Sequence, residues 1–409
     1  MEVKGITIGF QNSLINFNFE LFMKIGILTF WESTDNYGQV LQAWALQQVL
    51  KKMGHEPYLI RYSLVASSAV KHETNKLRKV LKLIAIYPII RYVFRYIRTT
   101  KENRLRLLIE KKNSMREFAK FREKNIVVSP QIYKSIDEIR KNPPVADCYI
   151  AGSDQVWTMP LSNNNNRAYF LDFGSQTTKR ISYAASFAKA VYPKEYICEL
   201  KKLLMRFNSI SVREKEGLEI CKKIGVDAKI VLDPTLLLCR NDYLRLMSID
   251  EETEPYVFVY SINVRNKKEL FADSISQYAK ENKIRIIATT SSGSLPGREL
   301  IDNAEYRYAT IAEWLHYIDG AEVVFTSSFH GVAFCLIFQK NFVFIPLKGN
   351  LSKGNGRILS LFNMAHIENK VLNDEKEISK VVNAPIDWDV VKTNLAEIKS
   401  FSADYLSVI

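Results

Sequence analysis

Apolar positions along the chain come in short unbroken runs rather than in strict alternation, and each run ends at turn or cap residues. The first is Lys24–Thr29; the loop Asn36-Tyr37-Gly38 leads into an amphipathic helix over Gln39–Met53, and Gly54 precedes a strand over Pro57–Arg61. This is a βαβ opening. Further runs of strand length lie at Asp147–Ala151, Arg180–Ala185, Ser209–Val212 and Lys229–Leu232, with a helix over Glu214–Ile224 between the last two. Strands that are apolar throughout and alternate with helices predict parallel sheets covered on both faces. After a polar stretch ending at Glu254-Pro255 the pattern restarts. It predicts a strand Tyr256–Ile262, a helix Lys267–Asn282, a strand Lys283–Thr289, a helix Ile311–Ile318, a strand Ala321–Phe325, a helix from Gly331 and a strand Asn341–Pro346. The fold class expected is α/β, with Rossmann-like domains over 23–245 and 246–387, an N-terminal extension 1–22 and a closing helix 388–409.

Composition bounds the possibilities. The 409 residues are 47% hydrophobic and 25% charged, which excludes collagen-like, low-complexity and disordered chains and gives each domain enough length for its own core. Five cysteines are scattered without CxxC spacing and read as reduced thiols, so a cytoplasmic location is expected. Polar residues interrupt the first 22 positions, which argues against a signal peptide, and the most apolar stretch, Leu83–Ile90, is too short to span a bilayer.

Charge changes the picture more. The chain carries a net +13, and residues 71–125 hold 17 Lys and Arg against five Asp and Glu, so nearly the whole surplus lies in one insertion. Arg91, Arg95 and Arg98 form a cationic stripe on an apolar helix over Val80–Ile97, which Pro88 would kink or start. Two readings follow: an anionic membrane surface as partner, with the protein peripheral on the cytoplasmic membrane face, or a helical hairpin docked on the core with a solvated basic face. No recognised nucleic-acid motif accompanies the charge, so no nucleic acid is expected.

Candidate chemistry gathers after strands, where open α/β sheets bind ligands. In Thr326-Ser327-Ser328-Phe329-His330-Gly331 a buried strand meets a helix; the Ser327 and Ser328 hydroxyls and the N–H groups around Gly331 suit an anion, with His330 above it. The plainer role of His330 is a helix-start residue satisfying local polar groups. Arg213 ends the strand before Glu214 and offers a bidentate fork, or a salt bridge to Glu214 or Asp233. In Gly152-Ser153-Asp154-Gln155-Val156-Trp157, Gly152 allows close backbone approach, and Asp154 is placed to hold a sugar hydroxyl, take a proton or cap a helix. Trp31, Tyr37 and Trp157 offer stacking faces for a sugar, though aromatics beside buried strands commonly belong to the core. Neither HxH nor HExxH spacing occurs, so no metal site is expected, and neither GxGxxG nor a P-loop lysine supports a nucleotide cofactor.

Taken in order, IGILTFWESTDNYGQVLQAWAL, CYIAGSDQVW, SVREKEG followed by VLDPTLLL, and FTSSFHGVAFCLIF resemble the polysaccharide pyruvyl transferase family from Met23 to Phe362. The resemblance implies a glycosyltransferase-B-like pair of Rossmann-type domains and transfer of the enolpyruvyl unit of phosphoenolpyruvate to a sugar, closing a pyruvate ketal without metal or cofactor. It makes His330 the catalytic histidine and Arg213 the donor-holding arginine, with Ser327, Ser328 and Gly331 beside them. Many members carry a basic residue before that histidine, where Phe329 stands here; Arg357 and Lys348 are the replacements that position suggests. Asp154 is assigned to the acceptor hydroxyl, and Asn36, Tyr37, Gly38, Gly152, Ser153 and Trp157 to the acceptor, a glycan or lipid-linked saccharide. A nucleotide-sugar glycosyltransferase on the same fold and a non-catalytic, membrane-associated anion-binding protein are the competing readings. The first reading requires His330 and Arg213 to converge within reach of solvent.

Overall fold

The computed structural model describes residues 22–63, 104, 107–247, 254–291, 299–407 and 409. The extension up to residue 21 and the basic helix expected over Val80–Ile97 lie outside the described residues.

Five strands, β1 (Lys24–Leu28), β2 (Glu56–Tyr62), β3 (Val128–Tyr133), β4 (Cys148–Ala151) and β5 (Lys179–Ser182), form a sheet in the order β3-β2-β1-β4-β5. All its pairings are parallel. Two short strands, β6 (Ser211–Val212) and β7 (Lys229–Ile230), continue it past β5 through the bridges Ile181↔Ser209 and Ala185↔Val212. A second parallel sheet joins β8 (Tyr256–Ile262), β9 (Arg285–Ser291), β10 (Glu305–Tyr306), β11 (Val323–Thr326) and β12 (Phe342–Phe344) in the order β10-β9-β8-β11-β12. The strand order reverses between β1 and β4 in one sheet and between β8 and β11 in the other, and ligand crevices open beyond the carboxyl ends of strands at such points. These are two Rossmann-like lobes, the glycosyltransferase-B-like arrangement expected from the sequence.

Three local features depart from the sequence pattern. Strand β3 was not anticipated, because Pro130 and exposed neighbours interrupt its apolar run; it is an edge strand, where proline costs no ladder bond. Strand β5 stops at Ser182 rather than Ala185, since Ala184 turns left-handed (φ 52°). Phe271, also left-handed (φ 53°), divides the helix expected over Lys267–Asn282 into Lys267–Leu270 and Ala272–Glu281.

The helices that frame the site are α1 (Tyr37–Lys52), α2 (Lys215–Lys223), α3 (Ile311–Gly320), α4 (Phe329–Phe338), α5 (Gly356–Ala365) and α6 (Trp388–Leu406). Helix α1, expected to be amphipathic, is instead buried on every side from Tyr37 to Leu50 except at Gln39 and Gln48; the buried Gln42 and Gln47 donate to Thr29 Oγ1 (3.1 Å) and Val127 O (2.7 Å). Its apolar residues belong to one core with Trp314 and Ile318 of α3 and Phe334 of α4, so the lobes share a continuous interior. Helix α6 returns to the first lobe, where Ser402 Oγ accepts from Leu232 N (2.9 Å) and Tyr405 OH donates to Ser182 O (3.0 Å). Among the described residues no helix is long and apolar enough to cross a membrane.

Candidate functional site

The turn from β11 into α4 is fixed by its own hydroxyls. Thr326 Oγ1 donates to Tyr260 O (2.9 Å), Ser327 Oγ accepts from Ile262 N (2.9 Å) and donates to Ile262 O (3.0 Å), and Ser328 caps α4 by accepting from Gly331 N (3.4 Å). A side chain on Gly331 would meet Thr326 Oγ1 at 2.3 Å. Ser327, Ser328 and Gly331, expected to hold the donor, therefore spend these polar groups on the turn itself, which presents His330 from the first turn of α4. Gly38, at the start of α1, is the surface on which that imidazole rests: a Cβ there would lie 2.0 Å from His330 Nδ1. Gly38→Ala is expected to displace the ring and lower kcat about 100-fold, the scale of a misplaced catalytic group; steady-state kinetics of a folded G38A protein checks this.

Facing His330 from the first lobe are residues that follow β4, β6 and β7. Asp233, at the carboxyl end of β7, is fully buried, and its Oδ1 accepts from Thr235 N (3.0 Å) and Thr235 Oγ1 (2.7 Å). Its Oδ2 accepts from Ser153 Oγ (2.8 Å) and Arg213 Nη1 (2.7 Å) and lies 3.6 Å from His330 Nε2. Arg213 also reaches Asp154 Oδ1 at 3.6 Å through Nη2, while Asp154 Oδ2 accepts from Gln39 Nε2 (3.1 Å). Asp154 holds this place in a left-handed conformation, φ 81°, and does not cap a helix. Burial opposes ionisation of Asp233, but the charges of His330 and Arg213 and the Thr235 hydrogen bond hold its carboxyl well below the usual range. Burial likewise opposes the charge on Arg213, and Asp233, Asp154 and Glu214 more than restore it.

The second guanidinium is Arg357, the second residue of α5. With the Gln155 amide oriented to satisfy it, Gln155 Oε1 accepts from Arg357 Nη1 (3.1 Å) and Nη2 (2.8 Å). Burial, and after it the like charge of Arg213, lowers Arg357 to about 10, which leaves it cationic at neutral pH. Phe329 supplies the floor: Arg213 lies 4.7 Å and Arg357 6.0 Å from its ring centroid, and His330 meets its edge at 5.2 Å. Phe329, which stands where the resemblance implied a basic residue, is thus an aromatic platform for two arginines. Lys348 is placed otherwise, its ammonium 4.7 Å from the Phe271 ring. Glu214 closes the cluster from below, accepting from Ser186 Oγ and the Phe187 and Ala188 N–H groups through Oε1, and its burial pushes its carboxyl up.

The residues expected at the acceptor divide. Tyr37 and Trp157 are fully buried, stacked on Trp314 and Phe170 at 5.0 and 5.5 Å, and therefore have no ring face open to a sugar. Asn36 caps α1 by accepting from Gln39 N (3.2 Å). Gly152 permits close packing on β1, where a Cβ would lie 3.1 Å from Thr29 Cβ, and Ser153 is tied to Asp233. Trp31 donates to Tyr62 O (3.0 Å) and stays half-buried. Asp233, Gln155 and Gln39 were missed as site residues; the one sequence signal was that each follows or opens an element next to a residue already singled out.

His330 and Arg213 converge, but the reach of solvent required of them by the transferase reading is not met: their side chains are 7% and 2% exposed. The cavity bounded by Arg213, Asp233, Phe329, Arg357 and Leu361 holds about 10 Å³, room for a water molecule and no more. Around it Arg213 Nη2, Arg357 Nε and His330 Nε2 are buried without a hydrogen-bond partner among the described residues. Such groups are rare in native interiors and mark polar sites. A larger cavity, about 620 Å³, lies at the amino ends of β1, β2 and β3 beside Lys24, His55 and Tyr133. It contains none of the converging groups. No cluster of metal-ligating side chains occurs among the described residues.

The arrangement offers one imidazole, two guanidinium groups on a shared aromatic floor and a carboxylate, Asp154, beside them; His330, Arg213 and Asp154 follow strand carboxyl ends, and Arg357 comes from the first turn of α5. A family model for polysaccharide pyruvyl transferase matches residues 36–349. No curated protein matches. Solved structures of similar shape include a putative UDP-N-acetylglucosamine 2-epimerase from Listeria monocytogenes (10% identity over 94% of this chain and 95% of that one, TM-score 0.48). A UDP-N-acetylglucosamine 2-epimerase from Rickettsia bellii (11% identity, 94% and 97%, TM-score 0.46) and the calicheamicin glycosyltransferase CalG4 (11% identity, 95% and 98%, TM-score 0.46) are others. Likeness at that level leaves the site to be read from this chain's own geometry.

Proposed function

The chain belongs to the polysaccharide pyruvyl transferase family, and on that premise we propose that it moves the pyruvyl group of phosphoenolpyruvate onto two hydroxyls of one sugar in a cell-surface glycan or its lipid-linked precursor. The observation that carries this reading is the meeting of His330 from one lobe with Arg213 and Asp233 from the other, and Arg357 beside them.

Phosphoenolpyruvate carries a carboxylate and a phosphate on C2, and its reaction begins when a proton reaches C3. His330 Nε2 supplies that proton, giving a methyl group and an oxocarbenium-like C2. The first sugar hydroxyl adds to C2 and releases its proton to Asp154, whose other oxygen Gln39 holds. The C2–O bond to phosphate then breaks, the second hydroxyl adds to C2, and the two released protons return to His330 and to the departing inorganic phosphate. Neither a metal nor a redox partner is needed for this balance.

The two arginines divide the donor's charge unequally. Arg213 already faces Asp233 and Asp154, so its charge is largely matched within the protein. Arg357 makes its hydrogen bonds to a neutral amide, and Glu214, Asp154 and Asp233 act on it only through space, so more of its charge is left for a ligand. It takes the place of the base that many members carry before the histidine. Arg357→Lys is expected to raise the KM for phosphoenolpyruvate roughly 100-fold, because a point charge replaces a planar fork; an unchanged KM would remove Arg357 from the donor site. With the cavity at about 10 Å³, the donor enters only when the side chains that bound it move aside, and their return then excludes water from the reactive C2 centre.

The direct test is a screen of phosphate release from phosphoenolpyruvate against free and lipid-linked glycans, with the ketal located by mass and NMR. A phosphoenolpyruvate-dependent mass gain with a ketal methyl signal is expected. Sugar transfer from a nucleotide-sugar, with phosphoenolpyruvate inert, would replace this reading by glycosyl transfer.

A further inference from the structure

We propose that the helical segment over residues 107–115 docks the protein on an anionic lipid surface. Leu107, Leu108, Lys111 and Met115 recur at three- and four-residue spacing, which places them on one helix face. All four are exposed, the apolar three by 64, 50 and 57%. Helices of globular domains turn such a face inward; here the inward face is a different one. Lys112 reaches Glu299 at 3.6 Å and covers the Tyr308 ring at 4.6 Å, and Asn113 donates to Thr34 Oγ1 at 3.2 Å. Arg116, at its end, is buried and bonds Tyr37 OH, Thr289 Oγ1 (3.3 Å) and Thr290 O (2.6 Å). The segment therefore ties the start of α1 to the end of β9 by its polar inner side and leaves its apolar side outward.

The occupant of that outer face is set by its charge and its shape. Among the described residues of this stretch Arg104, Lys111, Lys120 and Lys124 are exposed beside Glu110, Glu117 and Glu123, and the insertion to which the segment belongs, 71–125, carries 17 Lys and Arg against five Asp and Glu. Leucine and methionine tips in a basic field are what the boundary of an anionic bilayer accepts: the tips enter the acyl region and the ammonium groups stay among the headgroups. A nucleic-acid backbone would use the charge and leave the three apolar tips in water. Docking is independent of the pyruvyl-transfer reading. If both hold, the converging groups are carried to the surface on which a lipid-linked acceptor resides.

The test is flotation of the full chain with vesicles of phosphatidylcholine, alone or mixed with phosphatidylglycerol. Recovery with the mixed vesicles, loss at high salt and little recovery with phosphatidylcholine alone are expected. Leu107→Ser, Leu108→Ser and Met115→Ser combined should lower recovery roughly tenfold at an unchanged Tm, since the three side chains are exposed. Flotation of the triple variant at the wild-type level, equal binding to both vesicles, no flotation, or displacement from vesicles by duplex DNA at equal charge would each overturn the proposal. Phosphate release with a soluble acceptor, measured alongside, reports on the reaction separately.

Discussion

Replacing His330 by alanine is expected to lower kcat for phosphate release about 1000-fold while the protein stays folded. The figure is the middle of the range for a positioned general acid and corresponds to about 4 kcal/mol of barrier. The fold should tolerate the change because the histidine does not hold the turn that presents it. Thr326, Ser327 and Ser328 close that turn without the imidazole, and α4 is capped by Ser328. Asp233 also keeps Arg213, Ser153 and Thr235 as partners when the ring is gone. A thermal melt and phosphate-release kinetics on the same preparation check both halves. Wild-type turnover in a folded H330A protein would take His330 out of the chemistry.

Asp233→Asn is expected to damage both stability and activity. The carboxylate is fully buried and accepts from Arg213, Ser153 and Thr235, so an amide in its place leaves the Arg213 charge without its nearest counterion and turns an NH₂ group toward donors. Breaking one side of such a buried pair costs about 3–5 kcal/mol. The pH dependence distinguishes this loss from a packing defect. A carboxyl held below its unfolded value stabilises the fold above about pH 4, and that contribution fades as pH falls toward the folded value. The wild-type protein should therefore lose stability on acidification below about pH 4, and D233N should lose less over the same interval, because its contribution is already gone. Denaturant melts across that range read the difference in slope. Parallel slopes would show that Asp233 carries no linked proton. Asp233→Glu should restore the charge but not the geometry, since one more methylene moves the carboxylate from a place fixed on four sides.

What the sequence made legible follows from what is local. The continuous apolar strands and their order of helices announced parallel sheets, and the residues that end β4, β6 and β11 announced the site, because carboxyl strand ends are where such sheets open. His330 and Arg213 were visible on those grounds. Their shared partner was less so: Asp233 stood out only as a possible salt-bridge partner, and its role depends on β7 lying beside β6, a pairing of two residues on each side. The aromatics show the opposite difficulty. Tyr37 and Trp157 have the same composition whether they face a cleft or a core, and Tyr37 is decided by the carbonyl of Ala309 and the ring of Trp314 in the other lobe, far along the chain. Phe329 was conspicuous as a missing base, yet its use as a floor for two guanidinium groups depends on α5 arriving from beyond β12. Strand β3 was hidden by Pro130, which an edge strand accepts.

The burial of the converging groups gives the account its sharpest requirement, since a donor must reach a cavity that now admits one water molecule. Calorimetric titration of phosphoenolpyruvate into the full chain, without acceptor, measures whether it does. Saturable binding is predicted, weakened roughly 100-fold by Arg357→Lys and little changed by His330→Ala, which removes the acid and leaves the cationic fork in place. Absence of heat with phosphoenolpyruvate, together with saturable binding of a UDP-sugar, would contradict it.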